Sequence, residues 1–401
     1  MNKHLLFTPG PVNVADNVRL AISQKDICHR EVDFDLLLQS IESKLLKVFD
    51  VNPIDYSAVV ITGSGTAANE SMLSSTVGDK NILILTNGEF GERLVEISAI
   101  HNKNTFRLDF AWGEELDLVK IEAYLKHNKI DVVAMVHHET SSGMLNPIDK
   151  VGALAHKHNA IFIVDGISSA GAEEIDMERC HIDFFASSSS KAIGSYAGLS
   201  FVLGKTLAFE KLKMLPAKTM YLNLYKFYLF NKKASQTPNT PAVHLFYALE
   251  QTLINILYVG VKQHYKHLKS RSKYLRKGLL NLGLKFLISE KNMCSVLTTV
   301  HLPKHINARL LRQRLREKSI IIYEGKGCFT NKVFQVGNIG ELSESDMQFF
   351  LSSLGEVLSS FPLLNEKTHS NNSKLPQGYN RAPEKLHSFF PVNVNVEVKA
   401  S

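Results

Sequence analysis

Residues 161–203 read IFIVDGISSAGAEEIDMERCHIDFFASSSSKAIGSYAGLSFVL, and two short runs of β-branched and aromatic residues within them decide the architecture. The first run, 161–164, ends on Asp165; the second, 182–186, passes through serines to Lys191. Such runs predict strands, and both end in a reactive side chain. In open α/β sheets ligands bind beyond the carboxyl ends of the strands, where an acid and a lysine can face one small molecule from two sides. Pyridoxal phosphate (PLP) needs that pair: an amine to bond its aldehyde, and a carboxylate to keep its pyridine nitrogen protonated so that the ring accepts electrons. Strands ending in Asp and solvated lysines after serine runs also occur without any cofactor, so the rest of the chain has to decide.

Upstream, 146–159 has helical spacing and 131–136 is a further strand, running into His137-His138-Glu139-Thr140-Ser141-Ser142-Gly143. Two histidines and a glutamate suggest a metal. Neighbouring residues at a strand end point in opposite directions, however, and H-E-x-x-H is absent, so no metal is expected. The strand 81–86 ends in Asn87-Gly88-Glu89-Phe90-Gly91, which places an aromatic either to stack on a flat heterocycle or to pack in the core. The strand 57–61 leads directly into Thr62-Gly63-Ser64-Gly65-Thr66-Ala67-Ala68-Asn69-Glu70 and a helical pattern. The first N–H groups of a helix lack internal partners and carry the positive end of its dipole, so this turn can bind an anion, with Ser64 and Thr66 adding hydroxyls. A well-capped helix without a ligand would read the same way. Neither the Walker lysine motif nor G-x-G-x-x-G is present, so a nucleotide is not expected.

Nearer the start, 33–49 carries apolar residues at helical spacing (Phe34, Leu37, Leu38, Ile41, Leu45, Leu46, Phe49). Cys28-His29-Arg30-Glu31 before it is either a surface loop or the source of a substrate-facing arginine, Arg30. Phe7-Thr8-Pro9-Gly10-Pro11 cannot be helical and reads as an extended arm. Strands alternating with helices through this half imply a mostly parallel α/β sheet with right-handed crossovers. Downstream, Gly194-Ser195-Tyr196-Ala197-Gly198 turns into a strand at 199–203, and Pro238-Asn239-Thr240-Pro241 breaks the chain before one long helical region from about 243 to 282. The texture then changes to the segment 295–302, an arginine-rich helix at about 307–318, a strand at 320–323, the segment Phe334-Gln335-Val336-Gly337-Asn338-Ile339-Gly340 and a helix from 345 to about 358. The expected division is an arm over 1–20, a large domain over 21–282, a small α+β domain over 283–362 and a polar tail over 363–401.

With 401 residues, 44% of them hydrophobic, the chain can bury a large core. The first residues lack the apolar run of a signal peptide and no segment approaches a membrane span, which predicts a cytoplasmic protein without a membrane partner. Four cysteines lie far apart with no C-x-x-C pair, against both a zinc site and a disulfide framework. The net charge of +7 is concentrated in 262–277 and 309–318. Charge alone leaves nucleic acid or an anionic substrate open, but no RNA-binding motif or stacking aromatics accompany it, so solvated helices are expected and nucleic acid is not.

Thr8-Pro9-Gly10-Pro11, the turn 63–67, the segment 87–91, the segment 137–143 followed by Leu145-Asn146-Pro147, Ile163-Val164-Asp165, Ser190-Lys191 and Gly337-Asn338-Ile339-Gly340 share the order and approximate spacing of one family. From residue 5 to about 360 the chain resembles the class V, fold-type I PLP-dependent aminotransferases, most closely those that act on 2-aminoethylphosphonate. The resemblance implies a mostly parallel seven-stranded sheet with a small α+β C-terminal domain. It also implies that Lys191 bonds PLP and shuttles a proton, that Asp165 pairs with the ring nitrogen, and that Ser64, Gly65 and Thr66 hold the phosphate with Thr240 of a second subunit. Phe90 would stack on the ring, Thr140 would lie beside its 3′ oxygen, and Ile167 and Ser190 would border the cofactor. A homodimer with shared active sites is implied as well.

Two departures bear on the substrate. Gln335 stands where the family has an arginine that clamps the substrate's acid group, and an amide cannot replace a bidentate guanidinium, a contact worth about 1.5–3 kcal/mol. Arg30 is the candidate to compensate. Ser190 and the turn 195–198 replace the family's Asn before the lysine and Gly-Val-Pro-Gly after it. The implied activity is transfer of the amino group of 2-aminoethylphosphonate, or a similar small amine, to pyruvate, giving phosphonoacetaldehyde and alanine. Another PLP activity, such as alanine or serine with glyoxylate or aminophosphonate lysis, and a non-catalytic binding protein of the same fold remain as alternatives.

Overall fold

Ile82–Thr86 (ILILT) and Val132–Val136 (VVAMV) are unbroken runs of buried residues, the pattern of strands covered on both faces. In a computed structural model of the protein, which describes residues 4–362, they lie inside a seven-stranded sheet. Its spatial order is Tyr56–Thr62, Leu199–Lys205, Phe184–Ser188, Ile161–Asp165, Val132–Val136, Ile82–Thr86 and Thr105–Asp109. Six of these strands point the same way, and Leu199–Lys205 is antiparallel to both neighbours. The ten-residue link from Ser188 to Leu199 explains the exception, since it is too short for the crossover that a parallel pair requires. The expected tail, 363–401, lies outside the described residues.

Helices cover both faces. Gly65–Thr76, Glu89–His101 and Leu224–Ala234 bury Met72, Leu94 and Phe227 on one side. Val32–Val48, Leu118–His127, Ile148–Lys157 and Val243–Val259 bury Phe34, Ile121, Val151 and Phe246 on the other. The long helical region expected over about 243–282 consists of two helices, Val243–Val259 and Val261–Asn281, divided at Gly260. Gly260 has φ +88°, a conformation open to a residue without Cβ, and the chain turns there from the main sheet towards the second core. The second helix buries Tyr265, Leu268, Leu275 and Leu279 in one stripe, while Lys262, Lys266, Lys269, Lys273 and Lys277 face solvent. Among the described residues no helix is long and apolar enough to cross a membrane.

A second core forms around the antiparallel strands Leu297–His301, Val333–Gly337 and Tyr323–Glu324, covered by Ala308–Glu317 and Glu344–Ser359. The beginning of the chain belongs to it. Leu5–Leu6 pairs in parallel with Ile320–Ile321, and Phe7 stacks on Phe350 with ring centres 4.3 Å apart. From there the arm passes over Gly337, whose N–H donates to Phe7 O at 3.0 Å, and back to the main sheet, where Asp16–Ala21 packs on Val243–Val259.

A Cβ added to Gly337 would lie 2.2 Å from Thr8 O and 2.6 Å from Thr8 C, backbone atoms that cannot step aside. Gly337→Ala should therefore lower unfolding stability by at least about 3 kcal/mol, the upper end of overpacking costs. Urea denaturation reads the change, and an unaltered midpoint would show that the arm does not hold this position.

Candidate active site

The carboxyl ends of the six co-directional strands lie along one edge of the sheet, and the candidate residues gather there. Asp165 is the last residue of Ile161–Asp165 and is buried. Its Oδ1 accepts the Ile167 N–H at 2.9 Å and its Oδ2 accepts Asn69 Nδ2 at 2.7 Å. Burial raises the Asp165 pKa, while these two hydrogen bonds and the charges of Arg93 and Lys191 oppose the rise. Lys191 lies beyond Phe184–Ser188, and burial brings its amine down to about 8; the Lys326 charge, then that of Arg93, adds to the shift, and Asp165 opposes it. An amine titrating there is about one-tenth neutral at pH 7, far more than an ordinary lysine. The arm closes over this side chain: a Cβ on Gly10 would stand 2.4 Å from Lys191 Cδ and 2.9 Å from its Nζ.

The helix Gly65–Thr76 starts at the same edge. Ser64 makes no capping bond with its side chain, so its hydroxyl leaves the first two N–H groups, of Gly65 and Thr66, open, while Ala67 N–H donates to Ser64 O at 2.8 Å. Gly65 touches Ile167, where a Cβ would meet the Ile167 side chain at 2.6 Å, and this contact brings the helix start beside the Asp165 turn. Ser190 is half-buried, its hydroxyl 3.1 Å from that of Ser188. Phe90 is half-buried in the first turn of Glu89–His101, and Thr140 is buried in the loop after His138–Glu139.

Three further expected residues lie on other loops and strands. Arg30 is exposed and donates to Gln236 Oε1 at 3.0 Å and Thr237 O at 2.8 Å, so its guanidinium shapes the loop that carries Thr240. Thr240 is itself exposed, although Ala242 N–H reaches Thr62 Oγ1 at 3.2 Å and holds the loop beside the end of the first strand. Gln335 is buried, and its amide nitrogen donates to Thr140 O at 2.6 Å and Thr299 Oγ1 at 3.2 Å.

Asn69 and Glu139 join the candidate site through their hydrogen bonds, which residue spacing alone does not reveal. Asn69 stands four residues after Gly65, one helical turn inward, which turns it back towards the strand ends. Glu139, read at first with the neighbouring histidines, is fully buried and accepts Phe90 N–H at 3.1 Å, Gly91 N–H at 3.0 Å, Ser141 N–H at 3.2 Å and Ser141 Oγ at 2.6 Å. It caps one helix and locks the Thr140 loop to the Phe90 turn. The hint was Gly88, where a Cβ would stand 2.4 Å from the Glu139 side chain. Burial lowers His137 to about 3 and His138 to about 4, so both are neutral imidazoles. Among the described residues no group of three His, Cys, Asp or Glu side chains could hold a metal.

A desolvated lysine, a hydrogen-bonded carboxylate and an unspent helix start on one edge of a mostly parallel sheet match the three chemical handles of PLP: aldehyde, ring nitrogen and phosphate. The Aminotransferase class-V family matches residues 21–343, and the chain belongs to that family as a PLP-dependent aminotransferase of fold type I. It is 33% identical over 365 residues to the 2-aminoethylphosphonate–pyruvate transaminase of Lysinibacillus sphaericus, which covers 90% of this chain and 98% of that protein. The enzyme of that name from Phocaeicola vulgatus is 29% identical, over 89% of this chain and 99% of its own. Among solved structures, alanine–glyoxylate aminotransferase from Nostoc superposes with a TM-score of 0.85 at 27% identity, over 89% of this chain and 96% of that one.

The folded Lys191 titrates near 8 and the unfolded one near 10.5, so between those values the unfolded chain binds more protons and stability rises with pH. Below pH 8 the full penalty, about 3 kcal/mol, is present. In the apoprotein, the stability gap between wild type and Lys191→Met should shift by about that amount, in favour of wild type, from pH 8 to 10.5. Urea denaturation across the range reads it; a constant gap would mean that the amine titrates normally.

Proposed function

We propose that the enzyme transfers the amino group of 2-aminoethylphosphonate to pyruvate, giving phosphonoacetaldehyde and alanine. The observation that carries this reading is the near full-length similarity to a transaminase named for that reaction, together with Lys191 and Asp165 at one strand edge. Bound at this edge, PLP supplies an aldehyde that takes up amino groups and a ring that accepts electrons. Lys191 is the residue to bond it and, once released, to take a proton from the donor's amine-bearing carbon and return it one position away. Its lowered pKa makes the neutral, proton-accepting form available near neutrality. Asp165, whose carboxylate form the hydrogen bonds from Asn69 and the Ile167 N–H favour against the effect of burial, would hold the proton on the ring nitrogen. Ser64, Gly65 and Thr66 would bind the phosphate at the helix start, with Ile167 and Ser190 bordering the cofactor, Phe90 against its ring and Thr140 fixed beside it by Gln335.

The same reading includes a cytoplasmic homodimer. Thr240 is exposed on a loop that Arg30 ties down, which suits a residue offered to the site of a second subunit. A second activity is favoured by one observation: Gln335 is neutral and its amide nitrogen already hydrogen-bonded, so a donor whose acid group carries less charge than a phosphonate, such as alanine with its single carboxylate charge and glyoxylate as acceptor, would also suit that wall.

A survey of amino donors against both pyruvate and glyoxylate decides between them, with 2-aminoethylphosphonate and pyruvate expected to lead over alanine and glyoxylate, and 2-aminoethylphosphonate expected to bleach the visible absorbance of the holoenzyme in the absence of acceptor. Lys191→Ala should lower kcat by about 10²–10⁴-fold, the usual worth of a positioned proton carrier. Release of phosphate or ammonia without a keto acid would overturn the transaminase reading.

A further inference from the structure

Three charged side chains gathered around Phe90 have no task in the chemistry above. Glu89 Oε1 lies 3.0 Å from Arg93 Nη2 and 3.5 Å from Lys326 Nζ, and Glu89 Oε2 is buried without a hydrogen-bond partner. Arg93 stands 4.7 Å and Lys326 5.9 Å from the centre of the Phe90 ring, so both cations converge on the aromatic expected beside the cofactor. They arrive from different parts of the fold. Arg93 belongs to Glu89–His101; Lys326 follows the short strand Tyr323–Glu324, whose Tyr323 hydroxyl donates to Gly10 O at 3.3 Å beside Lys191. Both charges are felt at the Lys191 amine.

Two cations therefore meet one carboxylate beside Phe90, while Gln335, at the position where an arginine would be expected, has its amide nitrogen spent on Thr140 O and Thr299 Oγ1. We propose that Lys326, with Arg93, receives the acid group of the amino donor, and that Glu89 holds these two cations as an internal stand-in for that group before the donor arrives. A lysine ammonium is a compact point charge on a flexible stem, able to leave a carboxylate for a phosphonate oxygen without the planar fit an arginine demands. Lys326 is about half exposed, which gives it room for that movement and makes the contact sensitive to salt. The identity of the donor as 2-aminoethylphosphonate rests on the functional reading above; the anion-binding role of the pair does not.

The experiment uses holoenzyme and ethylphosphonate, the donor without its amine, titrated while the visible spectrum of the cofactor is followed. Lys326→Gln should weaken its binding by about 10–100-fold, the range of a lost charge-assisted contact, and should raise KM for 2-aminoethylphosphonate more than it lowers kcat. Lys326→Arg should keep most of the affinity. Glu89→Gln should tighten ethylphosphonate binding, because the competing carboxylate charge is gone. The exposed Lys326 leaves the core untouched, and unchanged melting temperatures confirm that the variants fold. Unaltered ethylphosphonate affinity in Lys326→Gln, or weaker affinity in Glu89→Gln, would overturn the proposal. If wild type fails to turn over 2-aminoethylphosphonate yet binds ethylphosphonate or propionate through Lys326, the donor assignment falls and the cation pair stands.

Discussion

An amine and a carboxylate removed from water within reach of each other's charge set the terms for the rest of the molecule. Burial works against the charge on each: it raises the Asp165 pKa and lowers that of Lys191, while their mutual attraction offsets part of both shifts. The acid needs more help, because a pyridine nitrogen is held protonated only by an ionised partner. Asn69 Nδ2 and the Ile167 N–H supply it, one from the helix after the glycine turn and one from the turn after the strand. An open α/β sheet suits this arrangement, since its strand ends and the starts of its helices lie on one edge, where unspent N–H groups favour negative charge.

The second constraint is that loops from separate parts of the chain must stay in register around that pair. Glu139 does this on one side, with four hydrogen bonds that tie the Thr140 loop to the Phe90 turn. Gln335 does it on the other, bringing the strand Val333–Gly337 of the second sheet against Thr140. The arm completes the enclosure, pairing with Ile320–Ile321 through Leu5–Leu6, accepting the Gly337 N–H of the second sheet at Phe7 O, and pressing Gly10 onto Lys191. Movement of the smaller sheet would therefore be felt at both Thr140 and the lysine.

Much of this was legible in residue order. Strands buried on both faces announce themselves as unbroken apolar runs, and glycines at strand ends mark where backbone or side chains approach closely. Less visible were elements that lean on their neighbours. Thr105–Asp109 is the edge strand, partly exposed and interrupted by Arg107, and it lacks the apolar run of its partner Ile82–Thr86. Leu118–His127 is short, although Asp117, which accepts Val119 and Lys120 N–H groups, was a readable start signal. The break at Gly260 was hidden because apolar spacing continues on both sides of it, and only the change from an apolar to a lysine-rich helix marks it. Asn69 and Glu139 escaped for a different reason: their roles depend on what stands opposite, which periodicity does not record.

The exchange of a guanidinium for an amide at position 335 has a physical logic of its own. The pocket there presents Thr140 O and Thr299 Oγ1, acceptors that a neutral amide satisfies at small cost. A buried guanidinium would have to be desolvated against those same acceptors and would gain a full counter-charge only with substrate present, so most of its attraction would go to offsetting its own burial. Placing positive charge on half-exposed side chains avoids that penalty, and Glu89 neutralises part of it until an anion enters. Solvent then screens the interaction, which weakens each contact but leaves the cations free to release the acid group when the product departs. The wall at Gln335 can thus serve rigidity, holding Thr140 in place, while recognition of the acid shifts outward to side chains that can move.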